Sequence, residues 1–232
     1  MINNLKLGFK IMKYGHAAKL SYISSAVLLV IGVLFCVLSC IVGGTTRGNI
    51  SPLPGGYFMT MVALLFLQLL STAGAANLVQ TSPRKRKLQT SVPAVLSVTL
   101  MMAGYLFTVV IMGITCWFHP AAIVTAAMQM FAGAILSGIV MVYYGACFKY
   151  FYTSTIMFII VFFFCYVFGF SQNNLLENIM LFDGSWAGWG LTAALGAAVI
   201  LVCGFLQYLI SLAVYKAPVS KMALGAKLRT QM

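Results

Sequence analysis

The stretch "LSYISSAVLLVIGVLFCVLSCIV", residues 20 to 42, runs for 23 residues without a charge. A helix needs about 20 apolar residues to cross a hydrocarbon core, so this run is long enough to span one. It is longer than the roughly 7–15-residue core of a secretory signal and lacks an A-x-A-like cleavage site, so it reads as a retained span. Similar stretches recur, and the chain divides into six of them, at about 20–43, 57–79, 92–115, 121–147, 151–170 and 186–214. Turn-forming or polar breaks separate the runs: "GGTTRGNISPLPGG", "SPRKRKLQTSVP", "CWFHP", a lone Lys149 and "SQNNLLENIMLFDGS". Only 7% of the residues are charged and 62% are hydrophobic, whereas a soluble domain carries about 25% charged residues. The expected fold is an all-α integral membrane protein of six transmembrane helices, a single domain over residues 1–232.

The bases set the expected direction. Lys6, Lys10, Lys13 and Lys19 precede the first run, and Arg84, Lys85, Arg86 and Lys87 follow the second. Lys149 follows the fourth, and Lys216, Lys221, Lys227 and Arg229 follow the sixth. With alternating spans, thirteen of the fourteen bases fall on one side and only Arg47 on the other. Basic loops stay in the cytoplasm, so both termini are expected there, and the acids Glu177 and Asp183 outside. A Lys or Arg at a span's centre costs about 2.5–3.5 kcal/mol, which alone keeps the 84–87 loop inside. The formal charge of +12 would suggest nucleic acid in a soluble chain. Here the bases flank apolar runs without aromatic interleaving, so no nucleic-acid partner is expected.

Three segments between spans carry helical signals. In residues 82–93, Ser82 suits an N-cap, Pro83 a first helical position and Pro93 a stop. A helix that short is unstable alone, and cations at its N-terminus oppose the macrodipole. It therefore needs a partner, either anionic headgroups or an acidic protein groove. Residues 1–19 form an amphipathic pattern, with Lys6, Lys10 and Lys13 on one stripe and Ile2, Leu5, Phe9 and Met12 beside it. That pattern predicts an interfacial helix; a solvated basic tail is the alternative. Asn174 with Glu177 resembles a capping box, and Leu175, Leu176, Ile179 and Met180 make an apolar face. They predict a short outer helix between spans five and six, a candidate gate, against an ordinary exposed loop.

Catalytic chemistry finds little support. His16 and His119 lie at span ends, the two acids are six residues apart on one outer loop, and no G-x-x-x-x-G-K-[ST] motif occurs. No catalytic, cofactor-binding or metal site is assigned, and the chain is not expected to be an enzyme. Proton-driven carriers place acids or histidines within the membrane, and here both acids fall outside the spans. Uphill transport would draw its energy from another chain. Gln68, Asn77, Gln129 and Gln207 are polar residues inside the runs. Each either hydrogen-bonds a neighbouring helix or lines a pathway. Small-residue runs such as "AGAILSG" and "TAALGAA" favour close helix packing.

The basic segment "NLKLGFKIMKYG", the loop "SPRKRKLQTSVP" and the insertion "SQNNLLENIMLF" together resemble the membrane subunit of a type-2 ABC exporter. Within that class the chain looks most like the permease of the phenol-soluble-modulin exporter group. The likeness covers the whole chain by architecture, and no single motif carries it. It implies a multi-pass permease of the bacterial cytoplasmic membrane and a coupling helix at residues 82–93. Arg84, Lys85, Arg86, Lys87 and Leu88 would dock a separate ATPase subunit, which would hold the ATP and Mg. It also implies a second permease chain, the same or different. Apolar spans favour an amphipathic or hydrophobic cargo such as a peptide. A passive channel, and a non-transporting immunity or scaffold protein, are the other classes open to such a sequence.

Overall fold

The computed structural model describes residues 2–13, 18–45, 83–147, 149–164 and 184–218. Among the described residues the chain is helical, with no strand. The elements are α1 (Ile2–Lys13), α2 (Ala18–Thr45), α3 (Lys85–Gln89), α4 (Ser91–Phe118), α5 (Ile123–Ala146), α6 (Phe151–Phe164) and α7 (Trp186–Val214). Three stretches are long and apolar enough to cross a membrane: Lys85–Phe118, Pro120–Ala146 and Trp186–Val214. Shorter apolar runs, Tyr22–Phe35 and Tyr152–Val161, lie within α2 and α6. The expected span at 57–79 and outer helix at 174–180 fall outside the described residues, as do Gln68, Asn77, Leu175, Leu176, Glu177 and Ile179.

α5 is the centre of the bundle. Its small residues Ala126, Ala127, Ala134 and Gly138 are buried, which lets α7 approach closely. A Cβ on Gly145 would lie 3.1 Å from the backbone oxygen of Gln207. A Cβ on Gly138 would lie 2.6 Å from Cys203 Sγ. With Ala134 beside Gly196, these contacts advance together along both helices, so α5 and α7 run parallel. α4 runs opposite to both. Its Tyr105 packs on Gly196 and its Val98 on Gly204, while Tyr105 Oη donates to the Ala193 carbonyl at 3.0 Å. Such van der Waals contacts between small residues hold helices together where lipid removes the hydrophobic drive.

Local sequence explains the breaks. Ser185 caps α7, its hydroxyl accepting from the Gly188 amide at 3.0 Å. Between α4 and α5, a 3₁₀ turn over Pro120–Ala122 reverses the chain, with proline opening the turn. Because α5 and α7 are parallel, Ala146 and Trp186 lie at opposite ends of the bundle. α6 packs on α5 through Tyr143 and Phe158, whose ring centroids lie 4.8 Å apart.

The two ends of the bundle differ in chemistry. At one end Trp117, Trp186 and Trp189 form a group of tilted and edge-to-face rings, with centroids 6.4 and 5.8 Å apart, and Trp117 is 76% exposed. At the other end lie α1, α3, the α5–α6 turn and the last turn of α7. There Gly8 of α1 packs on Val92 and Leu96, and the bases Lys6, Lys10, Arg84, Lys85, Arg86, Lys87, Lys149 and Lys216 gather. Between the ends, α4 exposes Leu106, Val110 and Ile114, and α7 exposes Leu195, Val202 and Phe205. Apolar stripes of that extent suit lipid and not water.

Candidate functional site

The basic end is built around α3. The sequence predicted Ser82 as cap, Pro83 as first helical residue and Pro93 as stop. Instead, Pro83 lies in a turn, Arg84 holds the N-cap position, and α3 closes at Gln89. Pro93 does end the short helix, but from four residues ahead. It cannot donate to the Gln89 carbonyl, and its ring crowds that carbonyl. Thr90 there departs from ideal helical angles (φ −118°, ψ −75°) while staying in the right-handed region, and Pro93 itself sits in the first turn of α4, where a missing N–H costs nothing.

The break leaves α3 as a separate short element with two faces. At 3.6 residues per turn, Arg84, Lys87 and Leu88 share one side, and Lys85, Arg86 and Gln89 the other. Arg84, Arg86 and Lys87 are exposed, whereas Lys85 and Leu88 are half-buried. The Arg86 guanidinium lies over the Tyr215 ring, 5.7 Å from its centroid, so the second face is turned to the end of α7. Leu88, the expected partner-facing apolar residue, already contributes to packing within the chain.

Lys149 belongs to the same end. Sequence marked it only as a lone base between two apolar runs. It is 8% exposed, and its Nζ donates to the Ala217 carbonyl at 2.7 Å. Burial, and then the charge of Lys85, lower its pKa from the usual lysine value. The partners Ala217 and Tyr215 lie 68 and 129 residues away from Lys149 and Arg86, and no sequence signal pairs them. Neither of the chain's acids is among the described residues, so no described carboxylate neutralises these bases.

On α1, Lys6, Phe9 and Lys10 are exposed and Lys13 closes the helix. The contact to α4 runs through Gly8, beside the expected apolar stripe, which leaves Phe9 on the outside.

Of the glutamines inside the spans, the two described ones, Gln129 and Gln207, do not share a site. Gln207 is buried and its Nε2 donates to Ser97 Oγ at 3.0 Å, which in turn donates to the Pro93 carbonyl at 2.8 Å. This is a bond between helices. Gln129 is fully buried with both amide atoms unpartnered. Since Gly145 abuts Gln207, Gln129 lies four and a half turns further along α5, about 24 Å away along the axis. Among the described residues, no group of three His, Cys, Asp or Glu side chains comes together.

No protein-family model, curated protein or solved structure matches the chain.

Proposed function

We propose that this chain is the membrane-spanning subunit of an ATP-driven exporter of the ABC type, energised by a separate ATPase subunit and working beside a second permease chain. α3 carries this reading. It is a short basic helix set off from a long apolar helix at Thr90, with Arg84 and Lys87 exposed at the end of the bundle where the bases gather. Such an element offers cations to an acidic groove outside the membrane and is joined directly to a span that could transmit movement. The segregation of bases to one end supports placing that end in the cytoplasm of a bacterial cell membrane. α1 then lies at the cytoplasmic interface, with exposed Phe9 toward lipid and Lys6 and Lys10 toward headgroups.

Cargo would be amphipathic or hydrophobic, a peptide being the simplest case, because the described helices offer apolar faces and few polar groups. Purification of the chain in mild detergent tests the proposal. A subunit that hydrolyses ATP is expected to copurify in a fixed ratio. A chain that purifies alone, yet dissipates solute gradients in proteoliposomes, would instead be a passive channel.

A further inference from the structure

Among the described residues, the bases at the end of α7 have no carboxylate counter-charge. Sixteen charged side chains include only two acids, and neither lies among the described residues. Two contacts with the turn after α7 hold this cluster together: Arg86 over Tyr215 and Lys149 on the Ala217 carbonyl. The carbonyl end of a helix carries partial negative charge, which offsets part of one cation and no more.

Among the described residues, both cations keep donors beyond these contacts. An ammonium has three N–H groups, and Lys149 spends one on Ala217. Arg86 meets Tyr215 through a cation–π contact, which uses its charge and leaves the five guanidinium N–H groups available. The surroundings are those of a membrane interface. Tyr150 and Tyr152 are exposed just after Lys149, and Ile156 and Ile160 further along α6 present apolar surface. Tyrosine at the headgroup level with aliphatic side chains beneath it is the pattern of a lipid-facing edge.

We propose that Lys85, Arg86 and Lys149 form a site for the phosphate of an anionic phospholipid, seated against the turn that follows α7 with its acyl chains along the apolar surface below. The ligand needs a net negative headgroup, since the site supplies three cations and no described carboxylate. It engages the α7-facing side of α3 and leaves Arg84 and Lys87 on the other side. The site therefore does not rest on the ATPase reading. A bound lipid would fix α3 against α7 and neutralise the charge that disfavours a protonated Lys149.

Native mass spectrometry of the intact chain in detergent, titrated with palmitoyl-oleoyl phosphatidylglycerol or the matching phosphatidylcholine, tests this. One phosphatidylglycerol should bind in preference to phosphatidylcholine. Arg86→Gln should weaken it about fivefold, the effect of one basic residue at a membrane surface. Arg84→Gln, on the opposite side, should change it by less than about twofold, as an exposed charge does. Lys149→Gln should match Arg86→Gln, but since Lys149 is buried the exposed Arg86 variant decides the matter. Millimolar sodium phosphate should not displace the lipid. Equal binding of the two lipids would overturn the site, as would unchanged binding in Arg86→Gln or an equal loss in Arg84→Gln. Displacement by sodium phosphate would overturn the lipid assignment and make this a site for a free anion.

Discussion

The ammonium of Lys149 donates a 2.7 Å hydrogen bond to the carbonyl of Ala217, tying the α5–α6 turn to the end of α7. Lys85 approaches from α3 closely enough for its charge to act on Lys149, and no described carboxylate offsets it. The Lys149 pKa is lowered from 10.5 by burial and by the charge of Lys85. Between the lowered folded value and 10.5, the unfolded chain binds more protons, so stability rises with pH in that window. The melting temperature of the wild-type protein in detergent should therefore rise relative to Lys149→Gln as pH climbs toward 10.5. A difference that stays flat or shrinks would contradict the assignment.

The α5–α7 contact depends on glycine at positions where backbone meets backbone. An alanine Cβ at Gly145 would press on the Gln207 main chain at 3.1–3.3 Å, which cannot rotate aside. Gly145→Ala should cost about 1–3 kcal/mol, the scale of overpacking. Gly190 on α7 has nothing within 4 Å of a built Cβ. Gly190→Ala should be neutral or gain up to about 1 kcal/mol from helix propensity. Thermal unfolding in one detergent compares the two, and equal shifts would show that the helices are not in close register.

Ser97 links two helices at once, accepting from Gln207 and donating to the Pro93 carbonyl. Ser97→Ala leaves the buried Gln207 amide without its partner, since Oε1 already has none. The expected loss is roughly 0.6–1.7 kcal/mol, the measured range for bonds between membrane helices. Ser97→Ala combined with Gln207→Leu should recover most of it. A double variant as unstable as the single one would argue against the pair.

Arg86 and Trp117 mark opposite ends of the α3–α4 unit. In a cysteine-free background of intact cells, Trp117→Cys, Arg47→Cys and Asp183→Cys should react with an impermeant thiol reagent, and Arg86→Cys should not. Labelling at Arg86 would reverse or abolish the cytoplasmic placement of the basic end.

Much of the helical framework was legible in the sequence. The expected run at 186–214 coincides with α7 (Trp186–Val214), because Ser185 caps one end and polar residues flank both. α4 exceeds its expected 92–115 at both ends, since an apolar run continues through Trp117 and Phe118 and a proline in the first turn does not stop a helix. The small-residue runs became the α5–α7 contact. The candidate site was legible only as a charge count. Arg86 with Tyr215, and Lys149 with Ala217, are pairings of distant segments that no local pattern encodes. Gln129 could not be told from Gln207, because pairing depends on where Ser97 falls on another helix.

If the outward side of α3 couples this chain to an ATPase, as proposed, affinity purification of the chain should retain that ATPase. Lys87 is exposed and Leu88 half-buried on that side. Lys87→Glu should weaken ATPase retention by about 1 kcal/mol, with the difference shrinking at high salt. Leu88→Asp should cost on the order of 2 kcal/mol from lost apolar burial, which persists at high salt, and adds repulsion from the acidic groove, which salt screens. Both variants should still insert, because the other cations of the loop remain. ATPase retained equally by the parent and both variants would contradict the coupling role of α3, and with it the proposed function.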